Sequence, residues 1–291
     1  MKLNKLLFFT LCLVIFSCNI EPIGTNDISE AVEETEGEGQ ETEEEEEEEE
    51  EEPNTDDNTL IKKIIFNKGT DDETIETYTY EGHKLIKKEI EDNYFLEGDY
   101  FVDYIYENDR LVRVNSTYEG ELDAYTIITY NENDQVAYYI LHLIDDNTFK
   151  HVYNYNTDNT IKLEVYIGDL DSQTTLSNSY TLSYEGSNLL SQVNDEYELS
   201  FQYDNKNGIY KNIEQIEVIN LVSIDFGGLE GYTNNIIDRR DNDEDEDGND
   251  VIIADTYEYI YNENGYPVTA TYKDFYDEEL EETYIIEYLY E

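Results

Sequence analysis

The chain has 291 residues, with 72 Asp and Glu against 17 Lys and Arg and a formal net charge of −55 at pH 7. A field of that sign repels nucleic acid and anionic bilayer surfaces, so neither is an expected partner. The two cysteines, Cys12 and Cys18, both lie near the start. No disulfide can therefore staple the rest of the chain, and its stability has to come from packing.

Met1-Lys2-Leu3-Asn4-Lys5 is a short basic start, and Leu6 to Phe16 is an apolar run too short to span a bilayer by itself. It ends Leu13-Val14-Ile15-Phe16-Ser17-Cys18. These residues resemble the bacterial lipoprotein signal peptide: a basic region, an apolar region, a small residue and then Cys. The resemblance implies cleavage after Ser17, a diacylglyceryl group on Cys18 and acylation of the new amino terminus. Phe16 is bulkier than the family's usual residue at that place. Each buried CH₂ adds about 0.8 kcal/mol, so one acyl chain holds marginally and two or three hold firmly. Asn19, rather than Asp, follows the cysteine. By resemblance to Gram-negative lipoproteins, this implies a lipid-anchored protein of the outer membrane, at the cell surface or on the periplasmic face.

Residues 19–59 hold 20 acids and no base, including an unbroken Glu run from Glu43 to Glu52. So polar a segment cannot offset its ordering entropy and is expected to be a disordered, self-repelling tether. Fully extended, it could reach roughly 140 Å. The expected organisation is signal peptide 1–17, lipidated Cys and tether 18–59, and a folded domain 60–291. That domain carries 52 acids against 15 bases.

From Leu60 the pattern turns to strand, beginning with Ile61-Lys62-Lys63-Ile64-Ile65-Phe66, and no amphipathic helix is expected after it. One unit then recurs, with Tyr104-Ile105-Tyr106-Glu107-Asn108-Asp109-Arg110-Leu111-Val112-Arg113-Val114 as its clearest copy. Tyr-x-Tyr puts both rings on one face of a strand. The polar quartet that follows suits a turn, and an apolar residue restarts the alternation. The second Tyr falls at 80, 106, 130, 155, 184, 203, 261 and 290. Steps of 19 to 29 residues indicate stacked hairpins sharing one core. The step of 58 between Tyr203 and Tyr261 marks either a degenerate unit or an insertion. The chain stops at Tyr288-Leu289-Tyr290-Glu291, as if on the first strand of another unit. The fold expected is all-β, an antiparallel meander of Tyr-rich hairpins forming a twisted, curled sheet or open barrel-like array. The tyrosines are read as its core and cross-strand ladder, with a ligand-binding aromatic platform as the alternative.

Tyr261-Asn262-Glu263-Asn264-Gly265-Tyr266-Pro267-Val268 resembles the YD-type repeat of the Rhs family, and looser copies cover about residues 78–290. Rhs proteins use many more repeats to build a shell around a toxin, so encapsulation is not implied. A nearer likeness is to uncharacterised envelope lipoproteins with a signal, an acidic tether and degenerate YD-like hairpins. That likeness implies a location and no activity.

Catalytic signatures do not emerge. His83, His142 and His151 have no metal-ligand spacing, with His83 in a turn and His142 on the solvent face of a strand. No nucleophile elbow, P-loop or dinucleotide loop is present. The segment 241–250 contains Asp243-x-Asp245-x-Asp247-Gly248-Asn249, which resembles the first half of a calcium loop. In that resemblance Asp243, Asp245, Asp247 and the Asn249 carbonyl are ligands, but Ala254 stands where the bidentate Glu belongs. Calcium is the one cofactor considered, against a plain acidic loop. The function expected is a non-catalytic, surface-tethered binding or structural lipoprotein with a protein or glycan partner. The alternatives are a glycan-acting hydrolase, marked by tyrosines beside a close carboxylate pair, and a periplasm-facing assembly component.

Overall fold

The computed structural model describes residues 58–92, 99–144, 147–195, 198–223, 233–244 and 250–291. Cys18, the expected acyl site, and the expected tether 18–59 lie outside them except for Asn58 and Thr59, which bond to His83 (3.1 Å) and Asn212 (3.0 Å). The described residues form sixteen strands: β1 (Ile61–Phe66), β2 (Thr74–Glu81), β3 (Lys84–Asp92), β4 (Tyr100–Glu107), β5 (Arg110–Tyr118), β6 (Glu121–Tyr130), β7 (Val136–Leu143), β8 (Thr148–Tyr155), β9 (Ile161–Asp169), β10 (Ser172–Glu185), β11 (Asn188–Val193), β12 (Glu198–Tyr203), β13 (Ile236–Glu244), β14 (Asp250–Tyr261), β15 (Pro267–Tyr276) and β16 (Glu279–Tyr290). One helix, α1 (Ile216–Ser223), lies between β12 and β13. Each strand pairs antiparallel with its neighbours in sequence, and β16 pairs with β1 to close a barrel.

Closure explains the half unit at the end of the chain. Ile61 opposes Tyr290, with Lys62 left out of the register. In the same way Leu85 opposes Tyr80 with Ile86 left out, and Leu111 opposes Tyr106 with Val112 left out. β1 is the second half of the hairpin that β16 begins. The skipped residue is a β-bulge, which bends the strand and sharpens its twist; its recurrence helps curl the sheet shut.

The turns at this end are of two kinds, set by the residue after the second Tyr. Glu81, Glu107 and Glu185 precede two-residue turns with positive φ at Gly82 (64°), at Asn108 and Asp109 (50° and 62°), and at Gly186 (60°). Such primed turns match the twist of paired strands. Asn131 and Asn262 begin longer loops instead. Asn131 Oδ1 accepts from the backbone N–H of Asn133 (2.9 Å) and Gln135 (3.1 Å). Asn262 Oδ1 accepts from Asn264 and Tyr266 (both 3.0 Å). Asp204 repeats the arrangement, its Oδ1 accepting from Lys206 N (3.0 Å) and Asn235 N (3.1 Å). The closing partner is 31 residues on, where in the Asn131 loop it is four. The long step between Tyr203 and Tyr261 is therefore an insertion, a repeat loop opened between its two anchoring residues.

That insertion contains α1, which corrects the expectation of no helix after Phe66. Ile216-Glu217-Val218-Ile219-Asn220-Leu221-Val222-Ser223 is rich in β-branched residues and reads as a strand. Tertiary packing overrides that propensity: Ile213, Ile216, Ile219 and Val222 are all buried in the same core as the inward-facing strand residues. The segment is pinned to several repeat turns. His83 O accepts from Glu214 N (2.9 Å), and Gln215 bridges Leu111 N (3.1 Å) and Asp109 O (2.6 Å). Tyr153 OH donates to Leu221 O (2.8 Å), and Asn207 Nδ2 to Asn264 O (2.8 Å). It plugs the turn end of the barrel.

Alternation decides which side chains face the interior and which face out. Tyr78, Tyr104, Tyr153, Leu182, Ile286 and Tyr288 are buried and point inward. The outer face carries charge in the body of the strands. Lys87 pairs with Glu89, Lys162 with Glu164, Arg240 with Asp238 and Lys273 with Glu258. Arg113 lies over the Tyr125 ring (4.3 Å) and Lys150 over Tyr138 (4.2 Å). The expected placement of His142 holds: it is on this face, tilted against Tyr125 at 4.9 Å.

Candidate functional site

The recurring tyrosines do two jobs. The second Tyr of most units reaches back across the sheet and donates its hydroxyl to the carbonyl of the apolar residue that restarts the preceding unit. Tyr80 donates to Ile61 O (2.7 Å), Tyr106 to Leu85 O (3.0 Å), Tyr130 to Leu111 O (2.7 Å) and Tyr155 to Val136 O (3.1 Å). Tyr203 repeats this with Leu189 O (2.9 Å), while in the Tyr259-Ile260-Tyr261 unit the first Tyr, Tyr259, takes Ile236 O (2.9 Å) and Tyr261 donates to Asp204. These clasps fall beside the bulges and tie each hairpin to the one before. Burial pushes the phenols up, Tyr130 and Tyr155 to about 12.

The other job is to line a cavity of about 240 Å³ inside the barrel. Tyr257, Tyr259, Tyr284 and Tyr288 form one wall from β14 and β16, and Ile64, Phe66 and Ile286 add apolar surface. Ile209 and Tyr210 line it from the inserted segment. Tyr257 and Tyr259 are near parallel (7°) at 6.0 Å, and Tyr284 stacks on Tyr272 at 4.4 Å. Opposite stands a buried ion pair, Lys88 Nζ to Glu76 Oε1 at 2.8 Å, with both side chains at most 15% exposed. Tyr78 donates to the other Glu76 oxygen, and its hydroxyl lies 3.1 Å from that of Tyr210. Burial first, and the Glu76 charge second, hold both phenols well above their ordinary value. With a charge-assisted donor on each of its two oxygens, Glu76 is held in place as an element of the wall.

A second carboxylate cluster sits among the tyrosines. Asp255 is buried, accepts from Arg239 Nη1 (3.0 Å) and Tyr272 OH (2.5 Å), and opposes Asp274 across β14 and β15. Burial, then Asp255, pushes Asp274 up. Neither carboxylate lines the cavity, and Asp255 is held by two donors. This is the close pair named above as a mark of a hydrolase, and it lies outside the lining of the cavity described here.

Of the calcium-loop residues, Asp243 falls in β13, where it pairs with Val251, while Asp245, Asp247 and Asn249 lie outside the described residues. Val251 and Ala254 are in β14. Among the described residues no group of three or more His, Cys, Asp or Glu could hold a metal ion. His83 is in its turn as expected, bonded to Asn212 O (2.9 Å), and His151 stacks on Tyr139 at 4.3 Å. Sequence reasoning did not find Glu76, Lys88 or Asn235. A lysine at an inward position of β3 two residues before Ile90 was the available signal, since an inward charge needs a partner.

Fold and cavity together define a class: a closed antiparallel meander barrel, packed with tyrosine and plugged from within. No family model and no curated protein matches the chain. Among solved structures, a porin-like protein from Bacteroides uniformis is similar over 79% of this chain and 98% of that one, at 14% identity and a TM-score of 0.49. A likeness so remote bears on neither location nor ligand.

Proposed function

We propose that this chain is a lipid-tethered barrel of the cell envelope that stands in water and binds a small ligand inside, without catalysing a reaction. The observation that carries it is the orientation of the sheet. Membrane-spanning barrels turn an apolar band outward, and Lys or Arg at the bilayer midplane costs about 2–4 kcal/mol each. Here Lys87, Arg113, Lys150, Lys162, Arg240 and Lys273 face outward, interspersed with exposed Ile105, Ile127, Ile260 and Ile285, while the buried core of tyrosines and aliphatics faces in. No helix among the described residues is long and apolar enough to cross a membrane. Membrane attachment then falls to Cys18, and the acidic stretch 19–59 acts as the spacer, with the outer membrane as the site of attachment.

Fractionation tests this. Wild type should sediment with membranes and take up labelled palmitate, and Cys18→Ala should lose the label and stay in solution as a folded barrel. A Cys18→Ala protein that remains in carbonate-washed membranes, or that folds only in detergent, would overturn the reading. Protease shaving of intact cells then separates the cell surface from the periplasmic face.

A further inference from the structure

The tip of the β15–β16 hairpin carries an exposed surface outside the cavity. Ala254, Phe275 and Leu280 oppose one another across β14, β15 and β16 and share the outer face, since Asp255, the next residue along, is buried. Ile252 lies on the same face two residues away along β14. Asp277 N donates to Ile252 O (2.9 Å), which holds the tip against that strand. Leu280 is 55% exposed and Ile252 38%. Single exposed apolar residues need no explanation, but a contiguous group marks a surface of interaction. Leu60 N bonds to Glu291 O (3.3 Å) at the turn end, so the chain enters the barrel at the end away from this tip.

Charge decides the occupant. Asp277, Glu278, Glu279, Glu281 and Glu282 flank Leu280 and are all exposed, with no base in residues 276–282. Among the described residues none of the five forms an ion pair, whereas Asp238 and Glu258 on the adjoining wall each hold a base. Arg240, which continues the row on β13, is the base that Asp238 takes up (2.8 Å). Burial first, and then the charges of Asp255, Glu282 and Glu281, hold the Asp274 carboxyl above its ordinary range. A second copy seated face to face would set carboxylate against carboxylate. A bilayer would have to accept five carboxylates with no cation to offset them. A partner that brings cations beside an apolar stripe satisfies both features.

From these we infer that the β15–β16 tip and the adjoining end of β14 dock a basic, amphipathic segment of a partner protein, its apolar stripe on Leu280, Phe275 and Ile252 and its lysines or arginines among the carboxylates. The inference goes beyond the ligand-binding reading proposed above and does not depend on it.

The test uses the full chain in non-ionic detergent, with detergent alone titrated as the blank. The probe is a fluorescent helical peptide of Leu and Lys with one apolar face, roughly 18 residues and about 27 Å long. A Lys/Ser peptide of equal charge and a Leu/Glu peptide are the controls. In about 0.15 M salt, where long-range attraction is screened, the Leu/Lys peptide should bind at least about tenfold more tightly than the Lys/Ser peptide, and the Leu/Glu peptide should not bind. Leu280→Ser should weaken binding about tenfold, and Glu278→Gly combined with Glu281→Gln by a similar factor. Glu278 has a φ of 67°, which glycine adopts freely, so its replacement does not cost the fold. Leu289→Ser, at a comparably exposed position of the turn end (45%), should change nothing. Each variant is first shown to melt cooperatively. The inference fails if the Leu/Lys peptide does not bind, if the Lys/Ser peptide binds as well, or if Leu289→Ser costs as much as Leu280→Ser. Carbodiimide coupling of the bound peptide to Glu43–Glu52 rather than to residues 277–282 would also overturn it, as would a dimer seen by light scattering that Leu280→Ser dissolves.

Discussion

Removing the clasp hydroxyls without disturbing the rings isolates what the repeat contributes. Tyr80→Phe, Tyr106→Phe and Tyr130→Phe each delete one donor, at 2.7, 3.0 and 2.7 Å from a backbone carbonyl. The aromatic packing survives, so the cost is one hydrogen bond, about 1 kcal/mol net, rising toward 3 where the carbonyl is left dry. The three sites lie in successive hairpins and share no partner, so their costs should add to roughly 3 kcal/mol. For a domain of 150–250 residues that is a fall in melting temperature of about 6–12 °C. Urea unfolding should show a lower midpoint at an unchanged slope, because the exposed area does not change. Tyr138→Phe is the control: that ring sits on the outer face beneath Lys150, and its loss of a hydroxyl should cost no more than about 0.5 kcal/mol. A triple variant within about 1 kcal/mol of the parent, or a Tyr138→Phe variant as costly as any clasp, would refute the role given to these hydroxyls.

Four further outcomes can be checked. Gln215→Ala frees the plug from Leu111 N and Asp109 O; it should cost about 1–3 kcal/mol, and limited proteolysis should first cut between Asp204 and Asn235. Gly168→Ala should be far worse than Gly186→Ala. A Cβ at 168 would meet the Ser172 carbonyl oxygen at 2.0 Å, whereas Gly186 has open space and a φ of +60°, a strain of about 1–2 kcal/mol. In alkali, tyrosines pushed up to about 12 by burial stay protonated in the fold when the unfolded chain already ionises near pH 10. Their contribution is full below pH 10 and lost as pH rises through 12, so melting should hold to about pH 9 and then drop steeply. A smaller tyrosinate absorbance near pH 10 in folded Tyr130→Phe or Tyr155→Phe than in the folded parent would contradict this. Finally, Asp255, one place after Ala254, already accepts from Arg239 and Tyr272. Calcium and magnesium at a few millimolar should therefore raise melting equally, and a calcium-specific rise lost in Asp245→Ala would show otherwise.

Period-two tyrosines and turn residues were enough to read the meander, because both signals are local. Ile61 to Phe66 emerges as the first strand with the bounds expected. Closure was not legible: pairing Ile61 with Tyr290 depends on curvature accumulated over every bulge, and the bulged residues, Ile86 or Val112, look like any other strand position. The helix was hidden because Ile216 to Ser223 is too short and too β-branched to signal against its surroundings. Its burial is supplied by strands far away in sequence. The cavity was hidden for a similar reason. Glu76 and Lys88 are ordinary letters among 89 charged residues, and they become a wall only when β2 and β3 turn them to the same side. Asn235 carries meaning only as the far anchor of a loop that opens at Asp204.

The abundance of tyrosine follows from the strand number. A barrel of eight strands can be filled by its own side chains, whereas sixteen strands leave a channel. A barrel that stands in water, as proposed for this one, has to fill that space or lose the burial that stabilises it. Tyrosine answers the geometry: its ring projects farther than Leu or Val, and its hydroxyl can find a carbonyl or another phenol at the end of that reach. Here Tyr153 reaches Leu221 O on the plug, and Tyr78 reaches Tyr210. The inserted segment supplies what the side chains cannot, a helix whose Ile216, Ile219 and Val222 complete the core at the turn end. Filling by long rings from a circular wall and a plug from one end cannot be uniform. The space left over lies between the β14 tyrosines and the Glu76–Lys88 pair.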